Sequence, residues 1–308
     1  MSRHPLVPQA AMSATRRLPA ALTLMSAAVL LAACGHGGAQ PSPPGTATAA
    51  RTVPDHVVRA PKSLLAVAEP QANGIMWALA GASGTGLFEL DSASGQVHGS
   101  VSVSNAARSV AESSAGVVGL ALGTSSSGAL ELRDGRTGKT ITTVALPAPA
   151  RQVVVGSDGT TFYVLTGWRK SASVTIVSAQ NGKLHGSVPV PADTVSIVPD
   201  IQQASLYVLQ KTGLVDEIGI SGGKITAKFT VGAEGMYIAL NPGGNTLYVL
   251  KGTAAVANIA EVNVATESVR SVLPAPSYCR GLLVSASGSQ LYEVVGTPGY
   301  GNIQVLAL

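Results

Sequence analysis

A repeat of about 43 residues, short β-branched runs cut by Gly, Asn and Asp, and no sustained helical period beyond the first 33 residues predict an all-β fold. The pattern is that of a six-bladed β-propeller built of four-stranded antiparallel blades and closed by an N-terminal strand. The predicted organisation is an export signal over 1–33, a lipidated cysteine and disordered linker over 34–54, and the propeller over 55–308.

The repeat shows first in Tyr163-Val164-Leu165, Tyr207-Val208-Leu209 and Tyr248-Val249-Leu250, with Tyr292-Glu293-Val294 as the next member. Stepping backwards reaches Leu120-Ala121-Leu122 and then Trp77-Ala78-Leu79, which makes six units. The third unit serves as the model. Residues 150–167 read as strand, Asp158-Gly159 turn, strand, and residues 173–190 as strand, Asn181-Gly182 turn, strand. The same turn glycine recurs at Gly95, Gly138 and Gly223. The sixth unit runs from Arg280 to Leu308 and has only three strands. The segment 55–60 has no other place, so it is expected to supply the missing outer strand and to cover an exposed edge. A β-sandwich or irregular barrel is the competing architecture, but neither produces six phased units.

The strings Asp158-Gly159-Thr160-Thr161-Phe162-Tyr163-Val164 and Asn241-Pro242-Gly243-Gly244-Asn245-Thr246-Leu247-Tyr248-Val249 carry a resemblance to a known group. Over roughly residues 55–308 the chain resembles the bacterial propellers named for their Tyr-Val-Thr-Asn repeat. It departs from them in having Leu after Tyr-Val in three units, and in degenerate first, second and fourth units. The resemblance implies the fold and is nearly silent on function.

The amino-terminal segment reads as an export signal. Arg16 and Arg17 precede an apolar run over 20–33 that is too short to span a membrane, which needs roughly 20 residues. Leu31-Ala32-Ala33-Cys34 then resembles the lipobox of bacterial lipoproteins. That resemblance implies cleavage before Cys34, diacylation of its thiol and a lipid-anchored domain on the extracytoplasmic side of a membrane. Residues 35–53 have the Gly/Pro/Ala/Thr composition of a linker. An ordinary signal peptide with a chance cysteine is the alternative. Translation from Met12 would give a more compact signal than translation from Met1.

Charge and cysteine content narrow the function. The formal charge is +4, but Arg3, Arg16 and Arg17 leave with the signal, so the exported part carries about +1. A nucleic-acid partner is therefore not expected. Once Cys34 is acylated only Cys279 remains, so no intramolecular disulfide is expected.

No catalytic constellation is legible. His98 and His185 fall at equivalent points of fourth strands, where solvent exposure explains them better than a metal pair. The carboxylates scatter; Asp193 and Glu234 lie on connections into inner strands but lack a histidine. No metal site, cofactor motif, P-loop or dinucleotide fingerprint is expected.

One constellation does stand out. Positions at equal offsets before the second-strand markers are Leu65, Arg108, Arg151, Val195, Met236 and Arg280. In a propeller they would ring one mouth of the central channel, with Trp168 and Lys170 above it on a second-to-third-strand loop. Three arginines beside an aromatic suit a carboxylate, phosphate or sulfate group through forked hydrogen bonds. The competing reading pairs them with backbone carbonyls, or with Asp193 and Glu234. The expected function is a lipid-anchored domain that binds an envelope ligand or protein partner, anionic on the first reading, with Arg108, Arg151, Arg280, Trp168 and Lys170 as its contacts. A propeller enzyme of the lactonase or lyase kind and a purely structural role stand as alternatives.

Overall fold

A computed structural model of the chain describes residues 53–308 except 61, 71–72, 82–84, 169–170, 233 and 298. The signal, Cys34 and the tether up to residue 52 lie outside the described residues. Strand β1 (His56–Ala60) precedes six units of like order. Blade 1 runs β2 (Leu64–Val67), β3 (Ile75–Ala80), β4 (Gly86–Asp91) and β5 (Val97–Ser102). Blade 2 runs β6 (Ala107–Glu112), β7 (Val117–Gly123), β8 (Gly128–Asp134) and β9 (Thr140–Leu146). Blade 3 comprises β10 (Ala150–Val155), β11 (Thr161–Trp168), β12 (Ser171–Ser178) and β13 (Leu184–Val190). Blade 4 comprises β14 (Thr194–Pro199), β15 (Ser205–Gln210), β16 (Leu214–Gly219) and β17 (Ile225–Thr230). Blade 5 follows with β18 (Gly235–Leu240), β19 (Thr246–Gly252), β20 (Ala257–Asn263) and β21 (Ser268–Ala275). Blade 6 has β22 (Cys279–Val284), β23 (Gln290–Thr297) and β24 (Tyr300–Ala307).

Each sheet pairs its strands in chain order and antiparallel, and β1 completes blade 6 beside β24. The closing strand is the expected one, and in its register His56 faces Val305 and Ala60 faces Gly301. Val58 is fully buried in this strand and packs with Ile303 and Val305 of blade 6 and Met76 of blade 1. The closing strand therefore locks the first blade to the last. No helix occurs among the described residues.

The core lies between blades, because each sheet can bury its faces only against its neighbours. Leu130 and Leu132 of blade 2 pack with Val153, Phe162 and Val164 of blade 3. Phe162 is fully buried there, and a Cβ at Gly119 would stand 3.0 Å from its ring. Burying such a side chain contributes about 1.5–3 kcal/mol. The turn glycines Gly95, Gly138, Gly182 and Gly223 all have positive φ, as the tight third-to-fourth-strand turns require.

Every inner strand begins with a bulge. The ladder between first and second strands skips one residue in each blade, and the unpaired residues are Leu65, Arg108, Arg151, Val195, Met236 and Arg280. A bulge leaves its extra residue outside the ladder and re-aims its side chain. The bulges are held by a repeated hydrogen bond. The amide closing each second strand donates to the carbonyl two residues before the bulged one. The pairs are Gly81 to Ser63, Gly123 to Ala106, Gly167 to Pro149, Lys211 to Asp193, Gly252 to Glu234 and Gly296 to Tyr278. Five of the six donors are glycine. At Gly123 and Gly296 a Cβ would come within 2.2 Å of a carbonyl oxygen of the adjoining blade.

Candidate functional site: the cationic channel mouth

The six bulged residues line one cavity of about 210 Å³ at the entry face of the channel. Equal offsets from phased markers thus place equivalent side chains around a common axis. Beneath them the next inner-strand residue of several blades forms a polar layer. Ser109 Oγ donates to the Val153 carbonyl at 3.4 Å, and Gln152 Nε2 donates to Ser196 Oγ at 3.1 Å. The backbone amide of Ile197 donates to Gln152 Oε1 at 2.9 Å, and that of Ile238 to Ser196 Oγ at 3.3 Å. Tyr237 of blade 5 is hydrogen-bonded to Gln152 of blade 3; burial pushes its phenol up, and this bond partly opposes the shift. These contacts join inner strands of blades 2 to 5 and give the cavity a polar floor. Below the floor the channel is lined mainly by Val154, Val198, Ala239 and Leu283 in a space of about 150 Å³.

Arg151 is the most constrained of the three arginines. Its Nη1 donates to the Thr194 carbonyl of blade 4 at 2.7 Å, and its guanidinium carbon sits 4.1 Å from the centre of the Trp168 ring. Burial lowers its pKa, but a guanidinium stays protonated throughout the physiological range. Trp168 ends β11, is 55% exposed and covers Arg151 from the solvent side. A cation–π contact of this kind contributes about 0.5–2 kcal/mol and fixes the guanidinium plane.

Arg108 is exposed, and its Nη1 donates to the carbonyls of Asn105 at 2.8 Å and Ala107 at 3.1 Å, both on its own bulge. Arg280 is exposed at the mouth on blade 6. Among the described residues no ion pair joins any of the three to Asp193 or Glu234; the pairs found are Arg133–Glu131 and Lys228–Asp216. The contacts of Arg108 and Arg151 to carbonyls leave most of each guanidinium's five N–H donors uncommitted. Lys170 lies outside the described residues. His98 and His185 are exposed on β5 and β13.

The opposite end of the inner strands carries residues that sequence reasoning passed over. Glu69 and Glu112 stand four residues after Leu65 and Arg108, in equivalent places of blades 1 and 2. Burial pushes the Glu69 carboxyl up to about 7, opposed by a hydrogen bond from the Ala286 backbone. Burial also pushes the Glu112 carboxyl to about 7, assisted by the charge of Glu89. The signal available in the sequence was an acidic residue at the same offset in two adjacent units. Among the described residues no group of three or more His, Cys, Asp or Glu is placed to hold a metal ion.

The ring, its register and its closure define the class: the chain is a six-bladed β-propeller. No family model and no curated protein sequence matches it. Among solved structures it is similar to Kuenenia stuttgartiensis hydrazine synthase, with a TM-score of 0.63 over 79% of this chain and 83% of that one. Sequence identity is 13%. The likeness is therefore one of fold.

Proposed function

We propose that the protein is a lipid-anchored extracytoplasmic lipoprotein whose propeller binds an anionic group at the entry-face channel mouth. The observation that carries the reading is the placement of Arg108, Arg151 and Arg280 around one cavity, with Trp168 stacked on Arg151. Three cations close together in a partly enclosed cup repel one another, and an anion relieves that repulsion while accepting forked hydrogen bonds. Arg108 and Arg151 belong to adjacent blades, so they form the stronger side, and Arg280 closes the far rim. The polar floor of Ser109, Gln152 and Ser196 suits a hydrated or oxygen-rich head group. A cavity of about 210 Å³ has room for a sulfate, a phosphate or the carboxylate end of a larger ligand.

The anchoring half of the proposal rests on the Leu31-Ala32-Ala33-Cys34 string and the linker after it. Two acyl chains on Cys34 would hold the domain at a membrane surface. The propeller would then be presented to envelope ligands or partners.

Calorimetric titration with sulfate, phosphate and succinate tests the binding half. Saturable binding to the wild type that weakens with salt and is lost in Arg108→Ala/Arg151→Ala, with the thermal transition kept, supports the proposal. Equal binding by the wild type and the double variant would refute it.

A further inference from the structure

On the face opposite the arginines, a groove of about 550 Å³ runs between blades 1 and 2. Asn73, Ile75 and Trp77 line it from blade 1, and Ser114 and Asp134 from blade 2. Glu112 ends the inner strand β6 and lines the same groove. It is only 8% exposed, and its Oε2 has no hydrogen-bond partner among the described residues. Glu89, half-buried on β4, also lines the groove and lies near enough for its charge to act on Glu112. A buried carboxylate oxygen without a partner is costly when ionised, and a second carboxylate nearby adds to the cost.

Among the described residues no ion pair neutralises these two carboxylates. Asp134 Oδ1 is occupied by its own turn, accepting from the Arg136 and Thr137 amides and the Thr137 hydroxyl. Arg136 is exposed beside Asp134, whose carboxyl its charge helps to hold low, and among the described residues it forms no ion pair with Glu112. Gly135 packs closely beside the carboxylate: a Cβ there would come 2.5 Å from the Gly116 carbonyl oxygen and 2.7 Å from Glu112 Oε1. The wall opposite is apolar and aromatic, from Ile75 and Trp77.

We propose that this groove binds the ammonium group of an aliphatic amine, with Glu112 and Glu89 as its anionic partners. The ammonium would donate to Glu112 Oε2, which has no partner among the described residues, and to the Glu89 carboxylate, and its aliphatic part would lie along Ile75 and Trp77. A metal ion suits the groove less well, because two carboxylates make a sparse oxygen set. The amine could belong to a free small molecule or to a lysine side chain of a partner protein; both present the same chemistry.

The test is an NMR titration of the full-length chain in detergent micelles at pH 8 and fixed ionic strength. At that pH the Glu112 carboxyl is ionised; the charged groups that share a cavity with it are Glu89, Asp134 and Arg136 in the groove and Glu69 on the channel side. The probes are n-butylammonium, N-acetyl-lysine methylamide, n-butanol and calcium chloride, and the reporter is the Trp77 indole N–H. Saturable shifts with either amine, weakened at least tenfold in Glu112→Gln, support the proposal. Butylammonium binding alone points to a small amine, and tighter binding of the lysine derivative to a partner's side chain. Should Glu112→Gln fail to fold, Glu89→Gln must weaken the amine at least threefold. Equal shifts with butanol, binding of calcium but neither amine, or amine binding indifferent to the folded variant would overturn it.

Discussion

At Glu69 and Glu112 the folded chain holds two carboxyls protonated up to a pH of about 7, where the unfolded chain releases them near 4.5. Between those values the native state binds more protons than the unfolded state, so stability falls as pH rises through the window. The melting temperature should therefore drop from pH 5 to pH 8. The double variant Glu69→Gln/Glu112→Gln should flatten that slope; an unchanged slope in the variant would show that other groups cause it. The carboxyls of Asp91, Asp134 and Asp158 are held low by hydrogen bonds within their turns, and their stabilisation is lost only as pH falls below about 4. The two windows do not overlap, which keeps the test clean. Phe162 gives a second prediction: truncation to Ala should cost about 3–5 kcal/mol in chemical denaturation, because the seam between blades 2 and 3 cannot collapse around the cavity. At this scale the arginine positions were legible because the repeat is phased. Glu69 and Glu112 were not singled out, because a carboxylate's burial depends on the neighbouring blade.

The inner strand and its bulge are what bring distant residues to one axis. No residue type marks the bulge, since Leu, Arg, Val and Met all occupy it. Its pinning bond leaves one trace in the sequence, the glycines Gly81, Gly123, Gly167, Gly252 and Gly296 at the ends of second strands. Gly123→Ala should destabilise by about 1–3 kcal/mol, since its Cβ would stand 2.2 Å from the Ala150 oxygen. The variant should also disturb Arg151, the residue after Ala150. Strand β1 offers the matching test for closure. Removing residues 35–52 should leave the melting temperature nearly unchanged. Removal through Ala60 should uncover β24 as an edge and give aggregates in light scattering. Equal behaviour of the two truncations would contradict the packing of Val58 as a lock. Closure was legible by strand counting. The link between Gln152 and Tyr237 was not, because blade order does not say that a side chain reaches past the neighbouring blade to the next one.

At the scale of the molecule the ring has two unlike ends, arginines where the inner strands begin and carboxylates where two of them finish. The proposed lipid anchor belongs to this scale too. Cys34→Ser should move the protein from the membrane fraction to the soluble one, and a wild-type chain found soluble with an unmodified Cys34 would contradict the anchoring proposal. The central claim, that the entry-face mouth takes an anion, is tested most directly by crystals of the propeller soaked in selenate and measured at the selenium edge. The account predicts an anomalous peak within hydrogen-bond reach of Arg108 and Arg151, absent from crystals of the Arg108→Ala/Arg151→Ala variant. Selenate at other surfaces with an empty mouth, or a peak that persists in the double variant, would contradict it.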